Sequence, residues 1–141
     1  MVALARNNVG AANARFVVGD FLTAPLVEHG YDFIAAVAVI HHVELARALS
    51  RLGALLRAGG VLCVVGLARN RTLADWSFSA VSVPVAVVAD RLRGAWASPA
   101  PVRDPEQTLG EIRAAARRLL PGADIRRRLF YRYTLLWRKH G

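Results

Sequence analysis

The sequence predicts an α/β fold in which a parallel sheet ends in an antiparallel hairpin, and two observations carry this prediction. Apolar runs at residues 31–40 and 61–65 flank a segment with helical periodicity, and strand, helix and strand in this order form a parallel unit with a right-handed crossover. At residues 123–139, two β-prone stretches stand too close together for another crossover helix, so we expect them to pair antiparallel. The 141 residues, 55% of them apolar, suffice for one domain with one core.

Two strands are predicted in the first third of the chain. Residues 15–19 are β-prone and are followed by Asp20, and residues 31–40 are almost continuously apolar after Gly30. Strands that are buried on both faces have such unbroken apolar runs. We therefore expect both segments to be buried parallel strands. Before them, the Ala- and Leu-rich residues 2–8 indicate the end of a helix, because they close with an Asn pair and Gly10 follows.

A crossover helix leads from the second strand to the third. Its apolar face repeats every three or four residues, at Leu45, Leu49, Leu52 and Leu56. Gly59 and Gly60 should provide the left-handed conformation that ends such a helix. The third strand then covers residues 61–65. Cys63, the single cysteine, lies within this apolar run, so we expect a buried thiol that forms no disulfide.

The second half of the chain combines an irregular segment, a helix and the hairpin. Residues 67–107 follow no single period and contain scattered Trp and Pro residues, so we interpret them as a lid-like insertion of short helices and loop. Thr108 and Glu111 have the spacing of a capping box, and the helix that they begin should stop at Pro121 and Gly122. The strands of the hairpin are predicted at residues 125–130 and 133–137.

Positive charge does not by itself indicate a nucleic-acid partner in this chain. The formal net charge is +9, but the arginines are scattered and lysine occurs once. For the one cluster, Arg126, Arg127 and Arg128, we expect a solvated strand face, and a basic nucleic-acid-binding module is the alternative. Because no basic leader precedes an apolar stretch and no apolar segment is long enough to span a bilayer, we expect a cytoplasmic protein.

Three segments, taken in order, resemble motifs of class I S-adenosylmethionine-dependent methyltransferases. Residues 17–21, Val-Val-Gly-Asp-Phe, resemble the segment that follows the third strand of that family. Residues 31–42 resemble its fourth-strand motif, and residues 55–62 resemble the passage from a leucine-rich helix through Gly-Gly into its fifth strand. Residues 120–137 resemble the closing hairpin of members that act on small molecules. The resemblance covers essentially the whole chain and implies a Rossmann-like, three-layer α/β sandwich.

The resemblance also implies an activity and part of a site. The activity is methyl transfer from S-adenosylmethionine to a small-molecule acceptor, with no nucleic-acid or membrane partner. By the same resemblance, Asp20 reaches the adenine amino group and Phe21 flanks the ring, while Val37 and Ala38 meet the methionine moiety. Ordinary roles are the alternatives: Asp20 can cap the next turn and Phe21 can be a half-buried loop aromatic. Val37 and Ala38 can be plain core.

Two histidines and four aromatic residues are weaker candidates. His41 and His42 follow the second predicted strand, and imidazole titrates near neutrality, so either could act in catalysis. The alternative is that one caps the crossover helix while the other lines the pocket without chemistry. We expect no metal site, because adjacent histidine side chains should point apart. Apolar contact with the acceptor, or else core packing, is expected for Trp76, Phe78, Trp96 and Tyr131.

The chain departs from the family pattern at the main cofactor loop. No Gly-x-Gly-x-Gly pattern occurs in the 141 residues, and nothing corresponds to the family's first two strands or to the helix between them. At ~30 residues per strand-helix-strand unit, roughly 40 to 50 residues are missing. We therefore expect a truncated chain or a late start codon, a gap in the sheet, marginal stability and impaired activity. A fragment of a nicotinamide-dependent oxidoreductase is a further alternative, but such enzymes do not normally end in a hairpin of this type.

Overall fold

The fold is given by a computed structural model, which describes residues 14–69, 107–128 and 132–141. A short 3₁₀ helix covers Ile40–His42. The described helices are α1 (Leu45–Leu55) and α2 (Leu109–Leu119). The described strands are β1 (Tyr31–Val37), β2 (Leu56–Leu67), β3 (Asp124–Arg127) and β4 (Arg132–Arg138).

The four strands form one mixed sheet in the order β1-β2-β4-β3. β1 runs parallel to β2, whereas β4 is antiparallel to both β2 and β3. The parallel pair is joined through α1, as expected for a crossover helix. The α/β class and the closing antiparallel hairpin that the sequence predicted are therefore confirmed.

Helix α1 begins and ends differently from the sequence expectation. The side chain of Glu44 caps its N-terminus by accepting hydrogen bonds from the backbone N–H groups of Ala46 and Arg47, at 2.8 and 2.9 Å. The helix ends at Leu55, so Gly59 lies near the start of β2 rather than at a helix cap. Gly59 does adopt the predicted left-handed conformation, with φ of 76°. Gly60 serves close packing instead, because a Cβ atom there would lie 2.9 Å from the carbonyl oxygen of Tyr31.

Helix α2 is tied to the hairpin at its C-terminal end. Its predicted capping box is present: Glu111 N donates to Thr108 Oγ1, and Thr108 N donates to the Glu111 carboxylate. At the other end, Trp137 Nε1 of β4 donates to the carbonyl oxygen of Pro121 at 2.9 Å. This bond fixes the hairpin against the turn that follows α2.

The two faces of the sheet differ in what covers them. On the first, here called the covered face, both α-helices pack against side chains of β2 and β4. The core includes Leu49, Leu52, Leu62, Val64, Ile112, Ala116, Tyr133, Leu135 and Trp137. The second, here called the open face, carries the alternate residues of the same strands. On it, Phe33 and Val37 of β1 are 59% and 60% exposed. The expectation that residues 31–40 are buried on both sides is therefore wrong, and the described α-helices form one helical layer.

Residues 15–19 do not form the strand that the sequence predicted. They have irregular structure, and Val17 and Val18 are 58% and 76% exposed. A β-strand needs a neighbouring strand for its backbone hydrogen bonds, and no described strand pairs with this run. Cys63 also differs from expectation, since it lies on the open face and is half-buried rather than buried.

Most of the predicted lid-like insertion lies outside the described residues, as does the helix end predicted at residues 2–8. Of the segment 67–107, the structure describes the two ends. They meet, because Arg69 N donates to the carbonyl oxygen of Gln107 at 2.8 Å and Arg69 forms a parallel bridge with Thr108. The segment thus leaves β2 and enters α2 at one place in the fold.

Candidate functional site

The segment before β1 folds as a tight turn followed by a loop, residues 20–30. Oδ1 of Asp20 accepts a hydrogen bond from Leu22 N at 2.9 Å, and the backbone oxygen of Asp20 accepts from Thr23 N and Ala24 N at 3.1 and 2.8 Å. Asp20 therefore has the turn-capping role that was the ordinary alternative for it. This turn directs the next residue, Phe21, toward the core, where it is half-buried.

The end of this loop is bound to the C-terminal end of α1. A helix leaves its last four carbonyl groups without partners inside the helix. Here His29 N donates to Ala54 O at 3.0 Å and Gly30 N donates to Leu55 O at 3.1 Å. His29 adopts a left-handed conformation, with φ of 55°, to make this connection. The loop therefore supplies hydrogen bonds that the helix end requires.

Lys139, after β4, completes the same helix end. Its ammonium group donates to the carbonyl oxygens of Gly53 and Leu56, each at 2.8 Å, and lies 3.1 Å from Nδ1 of His29. The C-terminal end of a helix carries partial negative charge, so the ammonium group also interacts favourably with the helix dipole. The last turn of α1 itself contains no basic residue. The C-terminal end of the chain thus holds the loop and the helix together.

An apolar pocket of about 380 Å³ lies between this loop, β1 and α1. Its lining comes from all three elements and consists of Phe21, Leu26, Tyr31, Phe33, Ile34, Ala35, Ala36, Val39, Leu52 and Leu55. Ligand pockets in proteins have volumes of about 300–1,000 Å³ and mostly apolar linings. In size and chemistry this pocket can take a flat aromatic group.

The four predicted cofactor residues differ in their relation to this pocket. Phe21 lines it, and Asp20 directly precedes Phe21. Val37 and Ala38 lie at the end of β1 and are not part of the lining, although Val39 is. Ala38 has φ of 53°, and its N–H donates to Val65 O at 2.8 Å. The structure therefore brings Phe21 to the pocket wall and leaves Val37 and Ala38 outside the lining, between the lining residues Ala36 and Val39.

The two adjacent histidines do not behave as the sequence suggested. They lie in the 3₁₀ helix, with His41 buried and His42 exposed. Their ring centroids are 4.0 Å apart, so the expectation that the side chains point apart is wrong. The expectation that one of them caps α1 is also wrong, because Glu44 does so. Neither ring lines the pocket. In the described ranges, no three His, Cys, Asp or Glu side chains group as metal ligands would.

Several pocket residues were missed in the sequence because they serve two purposes. Leu52 belongs to the apolar stripe of α1, and Tyr31 and Ile34 belong to an apolar strand, so each was assigned to the core alone. No sequence pattern indicated that Leu26 would line a pocket, because its position depends on how the loop folds back on α1. The proposed acceptor contacts Trp76, Phe78, Trp96 and Tyr131 lie outside the described residues.

Two arginines of the basic triplet, Arg126 and Arg128, are solvated as expected, whereas Arg127 is half-buried. Arg126 Nε pairs with Asp124 Oδ2 at 2.8 Å, and Arg128 Nε donates to Thr134 Oγ1 at 3.2 Å. Both arginines are exposed. Where the structure describes the chain, it contains no helix with the length and apolar character that a membrane crossing requires.

Comparison with known proteins identifies relatives over nearly the whole chain. A family model described as a methyltransferase domain matches residues 1–64. An uncharacterised methyltransferase of Mycobacterium tuberculosis is 40% identical over 139 residues, which are 96% of this chain and 70% of that protein.

Solved structures share the fold at low sequence identity. A protein from Pyrococcus horikoshii gives a TM-score of 0.59 at 14% identity, with 97% of this chain and 63% of that chain covered. A SAM-dependent methyltransferase from Aquifex aeolicus gives 0.58 at 13% identity, with 96% and 60% covered. The chain spans less than two thirds of both structures, and at these identities the likeness concerns the fold alone.

Proposed function

This chain belongs to the S-adenosylmethionine-dependent methyltransferases, and we propose that it serves methyl transfer to a small-molecule acceptor, with the adenine end of the cofactor beside Phe21. When bound, the cofactor would supply an activated methyl group, because its positively charged sulfonium leaves as a neutral thioether, S-adenosylhomocysteine, once the acceptor takes the methyl group. Positioning of the acceptor then supplies much of the rate, so the proposal requires no side chain as a catalyst. His41 and His42 are secondary candidates for an acid or base near the acceptor.

The single observation that carries the proposal is the apolar pocket with Phe21 in its wall. The adenine ring is flat and aromatic, and stacking of a base on an aromatic side chain contributes about 1–3 kcal/mol. The remaining wall is aliphatic or aromatic, from residues such as Leu26 and Ile34. Such an apolar lining suits the faces of the ring.

Asp20 and the end of β1 extend the proposed site beyond the ring. Oδ1 of Asp20 accepts a hydrogen bond from Leu22 N, and an ionised carboxylate has a second oxygen that can also accept. That oxygen is suited to accept from the adenine amino group. Val37 and Ala38 adjoin Val39 at the far end of the pocket, which supports backbone contact with the methionine moiety.

The proposal includes a small molecule rather than a nucleic acid as acceptor, and a cytoplasmic location. Two exposed arginines of the hairpin, Arg126 and Arg128, form hydrogen bonds with the neighbouring Asp124 and Thr134, which occupies part of their donor capacity. The single cysteine is free, and a chain with one cysteine gains no stability from an internal disulfide. The first observation favours a small-molecule acceptor, and the second favours a cytoplasmic location.

Calorimetric titration of the chain with S-adenosylmethionine tests the proposal. We expect saturable binding that S-adenosylhomocysteine competes with, and we expect Phe21→Ala to weaken it by about tenfold through lost stacking. Val18→Ala is the matched control, because it removes an exposed apolar side chain close by and should leave affinity unchanged. NADH serves as the competing probe for the oxidoreductase alternative.

The outcomes separate clearly. Absence of binding to S-adenosylmethionine would contradict the proposal, and binding of NADH in its place would favour the oxidoreductase alternative. Equal affinity in Phe21→Ala and the unaltered chain would mean that the chain binds the cofactor at a place other than this pocket.

A further inference from the structure

One arginine of α1 connects the helix to the middle of the loop that carries Phe21. Arg51 Nη1 donates to Glu28 Oε1 at 2.7 Å, and Arg51 Nη2 donates to the carbonyl oxygen of Ala24 at 3.2 Å. The Arg51 side chain is 22% exposed, so its bond to Ala24 O is partly shielded from water, whereas Glu28 is 58% exposed and its ion pair lies at the surface. Shielding makes charge-assisted bonds stronger than they are on an open surface.

These two bonds hold the part of the loop that the other anchors do not reach. The turn at Asp20 closes the first residues on themselves, and the hydrogen bonds of His29 and Gly30 fix the last ones to α1. Between them lies Leu26, whose N–H donates to Ala24 O within the loop itself at 2.8 Å. Within the described residues, the hydrogen bonds of Arg51 tie this middle part to α1.

The position of these bonds matters for the pocket. Ala24 and Glu28 bracket Leu26 on both sides, and Leu26 and Phe21 are the two loop residues in the pocket wall. The rest of the wall comes from β1, residue 39 and α1, which the sheet and the core hold in place. Arg51 therefore attaches the loop wall of the pocket to the wall formed by α1.

We propose that Arg51 is a positioning residue for cofactor binding: through Ala24 O and Glu28 it holds Phe21 and Leu26 where the adenine ring meets them. This inference rests on the proposed function, because the ring that Phe21 receives is that of S-adenosylmethionine. Arg51 itself touches the loop and lies outside the pocket lining.

Stability alone is a poor explanation for an arginine at this place. Its Nε is buried and has no hydrogen-bond acceptor in the described ranges, and an unpaired buried donor costs stability. Replacing Arg51 by Met retains most of the apolar stem and removes that donor. The variant should therefore fold, while the loop loses its central attachment.

The test compares cofactor affinity in Arg51→Met and in a matched control. Arg47 lies one turn earlier on the same helix and is exposed, so Arg47→Met removes the same charge without touching the loop. For Arg51→Met we expect calorimetric affinity for S-adenosylmethionine to fall by about tenfold, since small misplacements of a binding group can cost up to about a hundredfold. Arg51→Lys should recover part of the loss, and Arg47→Met should bind as the unaltered chain does.

A double-variant cycle with Phe21 distinguishes positioning from a structural role. If Arg51 acts by placing Phe21, then Arg51→Met should cost less than about threefold when Phe21 is already Ala. A purely structural role would produce the same loss in both backgrounds. That result would overturn the inference.

A second variant and a measurement without cofactor distinguish a lost loop attachment from misfolding of the chain. Glu28 is 58% exposed, so Glu28→Gln should fold normally and weaken binding by a few fold through loss of one anchor. Without cofactor, hydrogen exchange at the amide of Leu26 should be faster in Arg51→Met than in Arg47→Met. Unchanged exchange and unchanged affinity in Arg51→Met would overturn this inference alone, whereas a wild-type chain that binds no cofactor would overturn the proposed function and this inference with it.

Discussion

The two faces of the sheet carry similar side chains and have different surroundings. Along β4, Leu135 is 0% exposed and its neighbour Leu136 is 52% exposed. Along β2, Leu62 and Val64 lie in the core, while Val61, Cys63 and Val65 on the other face are half-buried. Because alternate residues of one strand point to opposite faces, the covering helices alone decide which of two equivalent leucines is buried.

This difference separates the core at β2 and β4 from the loop wall of the site, although Ala36 and Leu52 belong to both the core and the pocket lining. The covered face joins both helices to β2 and β4 in one core. The pocket lies at the β1 side of the sheet, where Phe33 and Ala35 of the open face and Ile34 and Ala36 of the covered face all line it. Substitutions on the covered face should therefore change stability, and substitutions beside β1 and in the loop should change binding.

The largest expected effect contrasts the two leucines of β4. Leu135→Ala should lower the free energy of unfolding by about 3–4 kcal/mol, because it leaves a cavity in the core. Leu136→Ala makes the same chemical change on the open face and should cost less than about 1 kcal/mol. Urea unfolding followed by circular dichroism measures both. Equal losses of unfolding free energy in the two variants would mean that the open face is covered as tightly as the other, which would contradict the difference between the two faces.

A pH effect on the covered face should come from Tyr133. Burial raises the pKa of Tyr133 from 10.0 to about 12. A raised folded-state pKa gives stability that is fully present below pH 10 and is lost as the pH rises through 12. The loss amounts to about 2–3 kcal/mol, and Tyr133→Phe should abolish that part of the pH dependence.

The measurement is the free energy of unfolding of both proteins between pH 9 and pH 12. The difference between them isolates Tyr133 from the other groups that titrate in this range. If the two curves ran parallel across the window, the phenol of Tyr133 would be as accessible to water as an unfolded one.

A smaller effect should come from the close packing over Gly66. A Cβ atom at Gly66 would lie 2.5 Å from the ring of Tyr133. Gly66→Ala should therefore cost about 1–3 kcal/mol by overpacking. Gly110→Ala is the control with the opposite sign, because Gly110 is an exposed residue of α2 and alanine there favours the helix by roughly 0.5–1 kcal/mol. Thermal melting should shift down for the first and up for the second.

Most of the fold follows from patterns that are local in the sequence. The leucine stripe predicted α1, the Thr108–Glu111 spacing predicted the start of α2, and the short connection predicted the hairpin. The failures arise where a segment depends on partners far away in the chain. Residues 15–19 have the composition of a strand but no described strand beside them, and the apolar run of β1 does not reveal which of its faces is covered.

The candidate site was predicted in part. Phe21 was identified through its motif and lies in the pocket wall. Glu44 was missed as the cap of α1, because the residues preferred at this position are Ser, Thr, Asp and Asn. The contacts of Arg51 and Lys139 could not be predicted from the sequence, because the acceptors of their hydrogen bonds are 23 or more residues away. Long-range polar contacts of this kind depend on the folded backbone.

The most direct test of the central claim is to detect the adenine ring in the pocket. Intermolecular nuclear Overhauser effects can be recorded between the adenine protons of S-adenosylhomocysteine and the side chains of the chain. We expect contacts to the Phe21 ring and the Ile34 methyl groups, and none to Leu136 on the open face. Contacts to Leu136 in the absence of any to Phe21 would contradict the account, because the cofactor would then bind away from the loop that α1 holds in place.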